Sequence, residues 1–148
     1  SNTGGWSSSE LRTFINNDIY NALPVDLRNI IIDTIVVSGH GKSDSTNFVT
    51  TDKLYLLAPK EIFSNWSNSY DTAKSLTRTF DYYISAGVTT SNYSGAKKYK
   101  GTSAYYWWLR SAYSTSNSDF FRVNRSGGWS GSNTATAANG VSPAFRIG

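Results

Sequence analysis

The chain has 148 residues and a formal net charge of +4, and 39% of its residues are hydrophobic, 15% aromatic and 16% charged. This length suits a single domain, 1–148, whose core must rely on Trp, Tyr and Phe more than on aliphatic side chains. The absence of cysteine excludes disulfides, zinc knuckles and thiol nucleophiles, and no apolar run approaches the roughly 18 residues of a membrane span.

The first predicted element is an amphipathic helix. Ser7-Ser8-Ser9-Glu10 is typical of a capping box, and Pro24 ends the helix. Between them the apolar residues recur at helical spacing, at Leu11, Phe14, Ile15, Ile19, Ala22 and Leu23. Residues 25–31 predict a second, short helix.

Helices and strands are predicted to alternate irregularly further along the chain. The β-branched residues at 34–37 favour a strand, and the composition of 53–57 predicts a buried strand after a polar loop. Residues 58–61 are typical of the start of a short helix. Residues 72–85 predict a longer helix, because four apolar side chains fall on one face: Leu76, Phe80, Tyr83 and Ile84.

The composition changes at residue 105, so we divide the chain into a scaffold, 1–104, and a C-terminal region, 105–148. Residues 105–110 (YYWWLR) predict an aromatic strand, and 141–147 predict a closing strand. Between these strands, residues 111–139 consist mainly of Ser, Thr, Asn, Ala and Gly. So polar a loop cannot form its own core and must be held by its neighbours, as functional loops usually are.

We therefore predict a ligand-binding surface within 111–139. Stiff contact area is expected from Tyr113, Phe121 and Trp129, and charge from Arg122 and Arg125. Adaptable hydrogen bonds are expected from the small polar residues Ser114, Ser116, Asn117, Ser118, Asp119, Ser130, Ser132 and Asn133. Strand alternation places Phe121 opposite Arg122, so the two contact one ligand only if a bulge intervenes. Trp129 is equally typical of a core residue after a glycine turn.

The residues required for most catalytic sites are missing. The single histidine, His40, lies between two glycines and is expected in an exposed turn. Asp119 is the only carboxylate in 111–139, which is too few for a paired-carboxylate site, and with Asn117 it would make only a weak calcium site. Ser126-Gly127-Gly128 predicts a hairpin turn rather than a phosphate loop. We expect no enzyme activity, no catalytic residue, no metal ion and no cofactor.

Basic residues at 97–100 and the missing N-terminal methionine bear on the partners and on the start of the chain. Lys97, Lys98 and Lys100 are the only clustered basic residues, and we interpret them as a solvated loop rather than a nucleic-acid site. The chain begins without methionine, so we expect a trimmed fragment whose export signal has been removed. Ser1-Asn2 is interpreted as a vector-derived remnant.

Several blocks resemble a bacterial family that is common in gut Firmicutes. They are 107–111 (WWLRS), 123–129 with its Val-Asn, Gly127 and Trp129, and 140–146 (GVSPAFR). Residues 9–15 and 50–57 are similar to earlier blocks of the same family. Members of that family resemble proteins with a C-type lectin-like fold. The same fold is seen in formylglycine-generating enzymes and in variable proteins of diversity-generating retroelements. The resemblance implies an α+β domain with helices packed on a small, irregular antiparallel sheet.

The inherited chemistries of this fold do not carry over to the chain. Formylglycine-generating catalysis depends on cysteines, and none is present. Calcium-dependent sugar binding uses Glu-Pro-Asn or Gln-Pro-Asp turns, whereas Pro24, Pro59 and Pro143 lie in other contexts. The variable-protein resemblance therefore has the strongest implication for function.

That resemblance implies a receptor or adhesion-type protein whose C-terminal surface is diversified. Adenine-directed mutagenesis of AAC codons does not reach Lys, Glu, Gln, Met or Trp, and in 111–139 only Trp129 falls outside the reachable set. A plain Ser- and Asn-rich loop predicts much the same. The expected partner is a protein or glycan on another cell or surface, with the domain at the cell surface, secreted or on a phage particle. The alternative is a fixed adhesion or carbohydrate-binding module of the same fold.

Overall fold

Short helices and small antiparallel sheets alternate in the structure, a computed structural model that describes residues 1–148 apart from the side chains of Ser132 and Asn133. The described part of the chain is α+β, as predicted, and its strands pair into four sheets of two or three strands. Helices lie mainly in the first sixty residues, and the three-stranded sheet lies near the C-terminus.

The N-terminal helix begins as α1 (Glu10–Phe14), passes through a π-helical turn (Ile15–Ile19) and ends as α2 (Tyr20–Ala22). The predicted capping box is wrong, because Ser9 is the N-cap and its side chain accepts from the backbone N–H of Arg12. Asn16 lies in the π-helical turn, and its side chain bonds the backbone of residues 53 and 54. These three hydrogen bonds hold the π-helical turn against a segment that is distant in sequence.

The next helix and the first strand pair follow the sequence pattern in part. The short helix α3 (Val25–Ile30) is confirmed, and it leads into β1 (Ile31–Ile32). The predicted strand at 34–37 is confirmed as β2 (Thr34–Ser38). Its partner is β3 (Phe48–Asp52), in a segment that the sequence analysis assigned to a polar loop.

The predicted strand at 53–57 is wrong, although the segment is buried. It makes one isolated bridge, between Tyr55 and Ala144. The carbonyls of Leu56 and Leu57 instead accept from the side chain and backbone of Arg110. Single bonds from one side chain and from isolated backbone groups thus take the place of a continuous strand ladder.

The helix start at 58–61 is confirmed as α4 (Pro59–Ile62), but the long helix at 72–85 is wrong. Only α5 (Asp81–Ser85) is helical, and Leu76 is 56% exposed. The carbonyl of Lys60 accepts from the Thr79 hydroxyl, and that of Glu61 accepts from the backbone N–H of Phe80. These tertiary bonds replace helical ones.

The C-terminal half forms a hairpin and a three-stranded meander. A 3₁₀ turn (Ser94–Ala96) precedes the hairpin of β4 (Lys98–Lys100) and β5 (Ser103–Tyr105). The meander has the order β6–β7–β8, and its strands are Trp107–Ala112, Asp119–Val123 and Trp129–Thr134. The prediction of one long loop over 111–139 is therefore wrong, since two strands and a tight turn occupy most of it.

The predicted closing strand is regular only at its end. β9 (Arg146–Ile147) pairs with β1, so the C-terminus lies beside residues 31 and 32. Before it, Gly140 bridges to Trp107 and Ala144 to Tyr55. Pro143 lies between these contacts, where it has no ladder bond to donate.

One hydrophobic core joins the predicted scaffold to the C-terminal region. Its largest fully buried side chains include Trp6, Phe63, Trp107 and Phe121. Trp107 and Trp108 are 2% and 8% exposed, so both sides of β6 are covered. None of the helices in the described part of the chain is long and apolar enough to cross a membrane.

Candidate binding face

The two sides of the β6–β7–β8 sheet carry different residues. The strand register aligns Trp107, Val123 and Trp129 on the inner side, which faces the core. The same register aligns Trp108, Arg122 and Ser130 on the opposite side, and Phe120 packs there against Trp108 with ring centroids 6.5 Å apart. We call Trp108, Phe120, Arg122 and Ser130 the outer face.

The three aromatic residues predicted to contact a ligand pack instead on the inner side. The ring of Phe121 is fully buried, and its centroid lies 4.9 Å from that of Tyr113 and 6.2 Å from that of Trp129. Trp66 contacts Phe121 and Trp129 edge-on, both at 5.3 Å. The prediction that Phe121 contacts a ligand is therefore wrong, because strand alternation points its side chain into the core. Trp129 packs against the core, as the alternative interpretation of this residue predicted.

Two clefts flank the segment at Gly140 and Val141, which runs alongside β6 at Trp107. The apolar cleft has a volume of about 590 Å³ and is lined by residues that include Trp6, Leu11, Phe14, Trp108 and Phe120. The basic cleft has a volume of about 570 Å³ and is lined by residues that include Lys98, Lys100, Tyr105, Tyr106 and Asn139. Val141 lines both clefts. Both volumes are in the range of small-ligand sites.

The β6–β7 connection is bonded to the start of the chain. The side-chain amide of Asn2 donates to the carbonyls of Ser116 and Asp119, at 3.0 and 2.8 Å, and its backbone N–H donates to the carbonyl of Asn117. Asn2 is only 1% exposed. Asn2 is therefore built into the fold, and the origin of Ser1-Asn2 stays a prediction.

The small polar residues of this connection have separate roles. The Ser116 hydroxyl accepts from the backbone N–H groups of Ser118 and Asp119, so Ser116 holds the turn itself. Asn117 is exposed and accepts from Ser43, while Ser114 is half-buried and donates its backbone N–H to the carbonyl of Tyr70. Of these residues, Asn117 is the most available to a ligand.

The β7–β8 turn is the predicted hairpin. The Asn124 side chain accepts from the backbone N–H groups of Ser126 and Gly128, and Gly127 has a φ of 91°. Arg125 is exposed at the tip of this turn, and Ser130 follows half-buried on the outer face. The predicted contributions of Ser132 and Asn133 lie outside the described residues.

Arg122 and Arg125 meet at one tyrosine. Their guanidinium carbons lie 4.1 and 5.4 Å from the centre of the Tyr106 ring, within the range of cation–π contacts. Sequence reasoning missed Tyr106, Asn139 and the lysines of the basic cleft. The signal was the KKYK run at 97–100 before the aromatic strand, which we interpreted as a solvated loop.

The buried charges away from the outer face have structural partners. Arg110 and Glu61 form an ion pair of 2.6 Å in the core. Burial raises the pKa of the Asp71 carboxyl, and hydrogen bonds from Trp66, the Ala73 backbone and Ser111 partly offset this effect. His40 is half-buried rather than exposed, with its Nδ1 2.7 Å from the carbonyl of Gly41. Among the side chains that are described, no three His, Asp or Glu residues group as metal ligands would.

Comparison with known proteins gives a family but no characterised relative. No curated protein matches the chain, and no solved structure matches it. A family model described as a domain of unknown function (DUF6273) matches residues 1–148, and the chain therefore belongs to the DUF6273 family.

Proposed function

We propose that this domain is a non-enzymatic binding module of the receptor or adhesion type. It holds a protein or glycan ligand on the outer face and in the exposed turns beside it. The observation that supports this proposal is the division of the meander into two sides. The inner aromatic residues complete the core, whereas the outer face, on which Trp108 is buried and its other residues are half-buried, is flanked by two clefts of ligand size.

We also propose a C-type lectin-like fold in which a retroelement diversifies the surface positions of 111–139. Helices combined with small antiparallel sheets are what this fold requires. Exposed side chains in this window include Asn117, Arg125, Thr134 and Thr136, and exposed substitutions usually change stability by no more than about 0.5 kcal/mol. Such positions can vary while the buried ones keep the fold. The domain would then act at the cell surface, in the medium or on a phage particle.

Sequencing the gene across its source population tests the diversification. We expect substitutions at adenines of the codons for exposed positions, with a near-copy of codons 111–139 and a reverse transcriptase gene nearby. The codons for Phe121, Val123 and Gly127 should be invariant, since Phe121 and Val123 are fully buried and Gly127 has a left-handed backbone. An invariant window without a template would favour the fixed adhesion module instead. Equal variation at buried and exposed codons would contradict both.

Glycan and protein arrays, followed by a blocking variant, test the binding face. Thr136 is exposed and lines the apolar cleft, so Thr136→Trp should fill the opening of that cleft. We expect loss of binding to the array ligand with an unchanged melting temperature. Thr51→Trp is the matched control, because Thr51 is exposed and lines neither cleft. Equal effects of the two variants would contradict the proposed face.

A further inference from the structure

The basic cleft is lined by two lysines and by no acidic residue. Lys98 and Lys100 lie two residues apart on β4 and so project from the same side of the strand. Their Nζ atoms lie 4.9 Å from the centre of the Trp107 ring and 5.6 Å from that of Tyr105. No Asp or Glu lines this cleft.

Arg122 and Arg125 add two more charges behind the wall formed by Tyr106. Within the described part of the chain, neither arginine and neither cleft lysine forms an ion pair. A concave site lined by one sign of charge concentrates the electrostatic field and attracts ions of the opposite sign. Four cations therefore lie around one cleft with no anion among the described side chains to balance them.

Two buried hydrogen-bond donors beside the cleft also lack acceptors. The Nε of Arg122 and the Nδ2 of Asn139 are both buried and make no hydrogen bond to any described residue. The two side chains are already in contact, because Nη1 of Arg122 lies 3.4 Å from Oδ1 of Asn139. Buried donors are rarely left unsatisfied in native proteins, so these two N–H groups leave positive potential at this wall of the cleft.

The burial of Lys98 also indicates that the cleft lacks an anion. It lowers the pKa of the Lys98 ammonium below its ordinary value, because no neighbouring carboxylate compensates for lost hydration. An anion in the cleft would supply that compensation.

We propose that the basic cleft binds an acidic saccharide through its carboxylate or sulfate group. The oxyanion takes the donors of Lys98 and Lys100, while Asn139 forms part of the cleft wall and Arg122 adds its charge behind Tyr106. The rest of the sugar fits the walls, where tyrosine hydroxyls, the Ser142 hydroxyl and ring faces lie together. This inference rests on the proposed function and deepens it: it assigns a ligand class to one of the two clefts, and it adds lysines and tyrosines outside 111–139 to Arg122 and Asn139 within that range.

Calorimetric and NMR titrations with matched sugars test this assignment. The probes are methyl glucuronide against methyl glucoside, and N-acetylglucosamine 6-sulfate against N-acetylglucosamine. We expect each acidic sugar to bind about tenfold or more tightly than its neutral partner, and less tightly at high salt. The Nε–H signal of Arg122 and the side-chain amide signals of Asn139 should shift on binding. Inorganic sulfate and a peptide with a free C-terminal carboxylate complete the set.

Charge-removing variants locate the site. Lys98→Gln combined with Lys100→Gln should weaken acidic-sugar binding by about tenfold or more. Lys97→Gln is the matched control, because Lys97 is exposed, adjacent in sequence and absent from the cleft. Near-ultraviolet circular dichroism checks the fold, and Lys100→Gln alone provides a milder variant if the double variant unfolds.

Each alternative result overturns the proposal. Equal binding of acidic and neutral sugars, no binding of either, or binding of sulfate or the peptide alone would exclude an acidic-saccharide site. An equal loss in Lys97→Gln would exclude this location. If the lysine variants lose acidic sugars while Thr136→Trp keeps its array ligand, the proposed function fails at the apolar cleft and this inference stands. If the lysine variants keep acidic sugars while Thr136→Trp loses its array ligand, the acidic-saccharide site is excluded and the proposed function stands.

Discussion

At the scale of single residues, Arg110 is the main polar contact of the core. Its Nε donates to the carbonyl of Val37 at 2.9 Å, and Nη1 donates to that of Leu56 at 2.8 Å. Nη1 and Nη2 bind the two carboxylate oxygens of Glu61, at 2.6 and 2.8 Å. Oε2 of Glu61 also accepts from the backbone N–H of Ala58. The pair thereby links β2, the 53–57 segment, α4 and β6.

Glu61→Gln tests how much the buried Arg110–Glu61 pair contributes to the free energy of unfolding. We expect the free energy of unfolding to fall by about 3–5 kcal/mol, because Arg110 keeps its charge in the core without a counterion. Urea unfolding followed by tryptophan fluorescence measures the change. Glu10→Gln is the matched control on an exposed helix position and should change stability by about 0.5 kcal/mol or less. Similar losses in both variants would contradict the role of the pair.

Asp71 gives a pH dependence with a defined sign. Its carboxylate accepts from Nε1 of Trp66 at 2.9 Å and from the backbone N–H of Ala73 at 3.2 Å, while it is 1% exposed. Burial raises its pKa in the folded state above the ordinary value of 3.8, and the charge of Arg110 acts weakly in the other direction. The folded protein therefore binds the Asp71 proton more tightly than the unfolded chain does.

Comparison of wild type with Asp71→Asn isolates that effect. As pH falls from 7 through the raised pKa toward 3.8, we expect wild type to gain stability relative to the variant, because protonation removes the cost of the buried charge. Below 3.8 the difference should become constant. Urea titrations at a series of pH values measure it. A relative loss of wild-type stability over this window would show that the hydrogen bonds outweigh desolvation.

At the scale of elements, the meander depends on side-chain alternation and on one tight turn. Residues of β7 alternate between core and outer face, with Phe121 and Val123 buried and Phe120 and Arg122 on the other side. The β7–β8 turn packs against the segment before β4, and a Cβ on Gly127 would meet the backbone carbonyl of Tyr93. The turn therefore requires glycine for its backbone angle and for its space.

Gly127→Ala and Gly101→Ala separate these two requirements. Gly101 has a φ of 62° and open space around it, so alanine there should cost only the roughly 1–2 kcal/mol of a left-handed backbone. Gly127 has a φ of 91° as well as the contact with Tyr93, so we expect a further loss of about 1–3 kcal/mol. Thermal and urea unfolding measure both variants. Equal losses would mean that the turn shifts away from Tyr93 without cost.

At the scale of the whole molecule, both ends of the chain are bonded to segments that are distant in sequence. Residues 31–32 pair with 146–147, and Asn2 bonds the β6–β7 connection. The N-terminal residues also line the apolar cleft beside Trp108 and Phe120. The shape of the outer face is therefore set by segments that are distant in sequence.

Asn2→Ala tests this long-range support. The carbonyls of Ser116 and Asp119 would each lose one of their two donors and keep only a backbone N–H, so we expect faster amide hydrogen exchange over 113–119 than in wild type. Mass spectrometry of peptic peptides measures the rates. Ser1→Ala is the control, because the Ser1 side chain bonds only Thr3. Unchanged exchange in Asn2→Ala would show that the connection is held by its own turn.

Local signals predicted the elements that depend on local contacts. The helix end before Pro24, strand β2, the proline start of α4 and the glycine hairpin at 126–128 all follow from residues close together in the chain. The 72–85 helix failed because its backbone bonds α4. The 53–57 strand failed because the segment bonds single groups of Asn16, Arg110 and Ala144 rather than one paired strand.

The candidate site shows the same division between local and long-range contacts. Sequence alone determined that 111–139 is polar, that its aromatic residues are few and that adjacent strand residues point to opposite sides. Only the tertiary structure decided that Phe121 faces the core, that Asn2 anchors the connection, and that Lys98 and Asn139 line one cleft. Which side of a strand is buried depends on what packs against it, and that choice is made by distant segments.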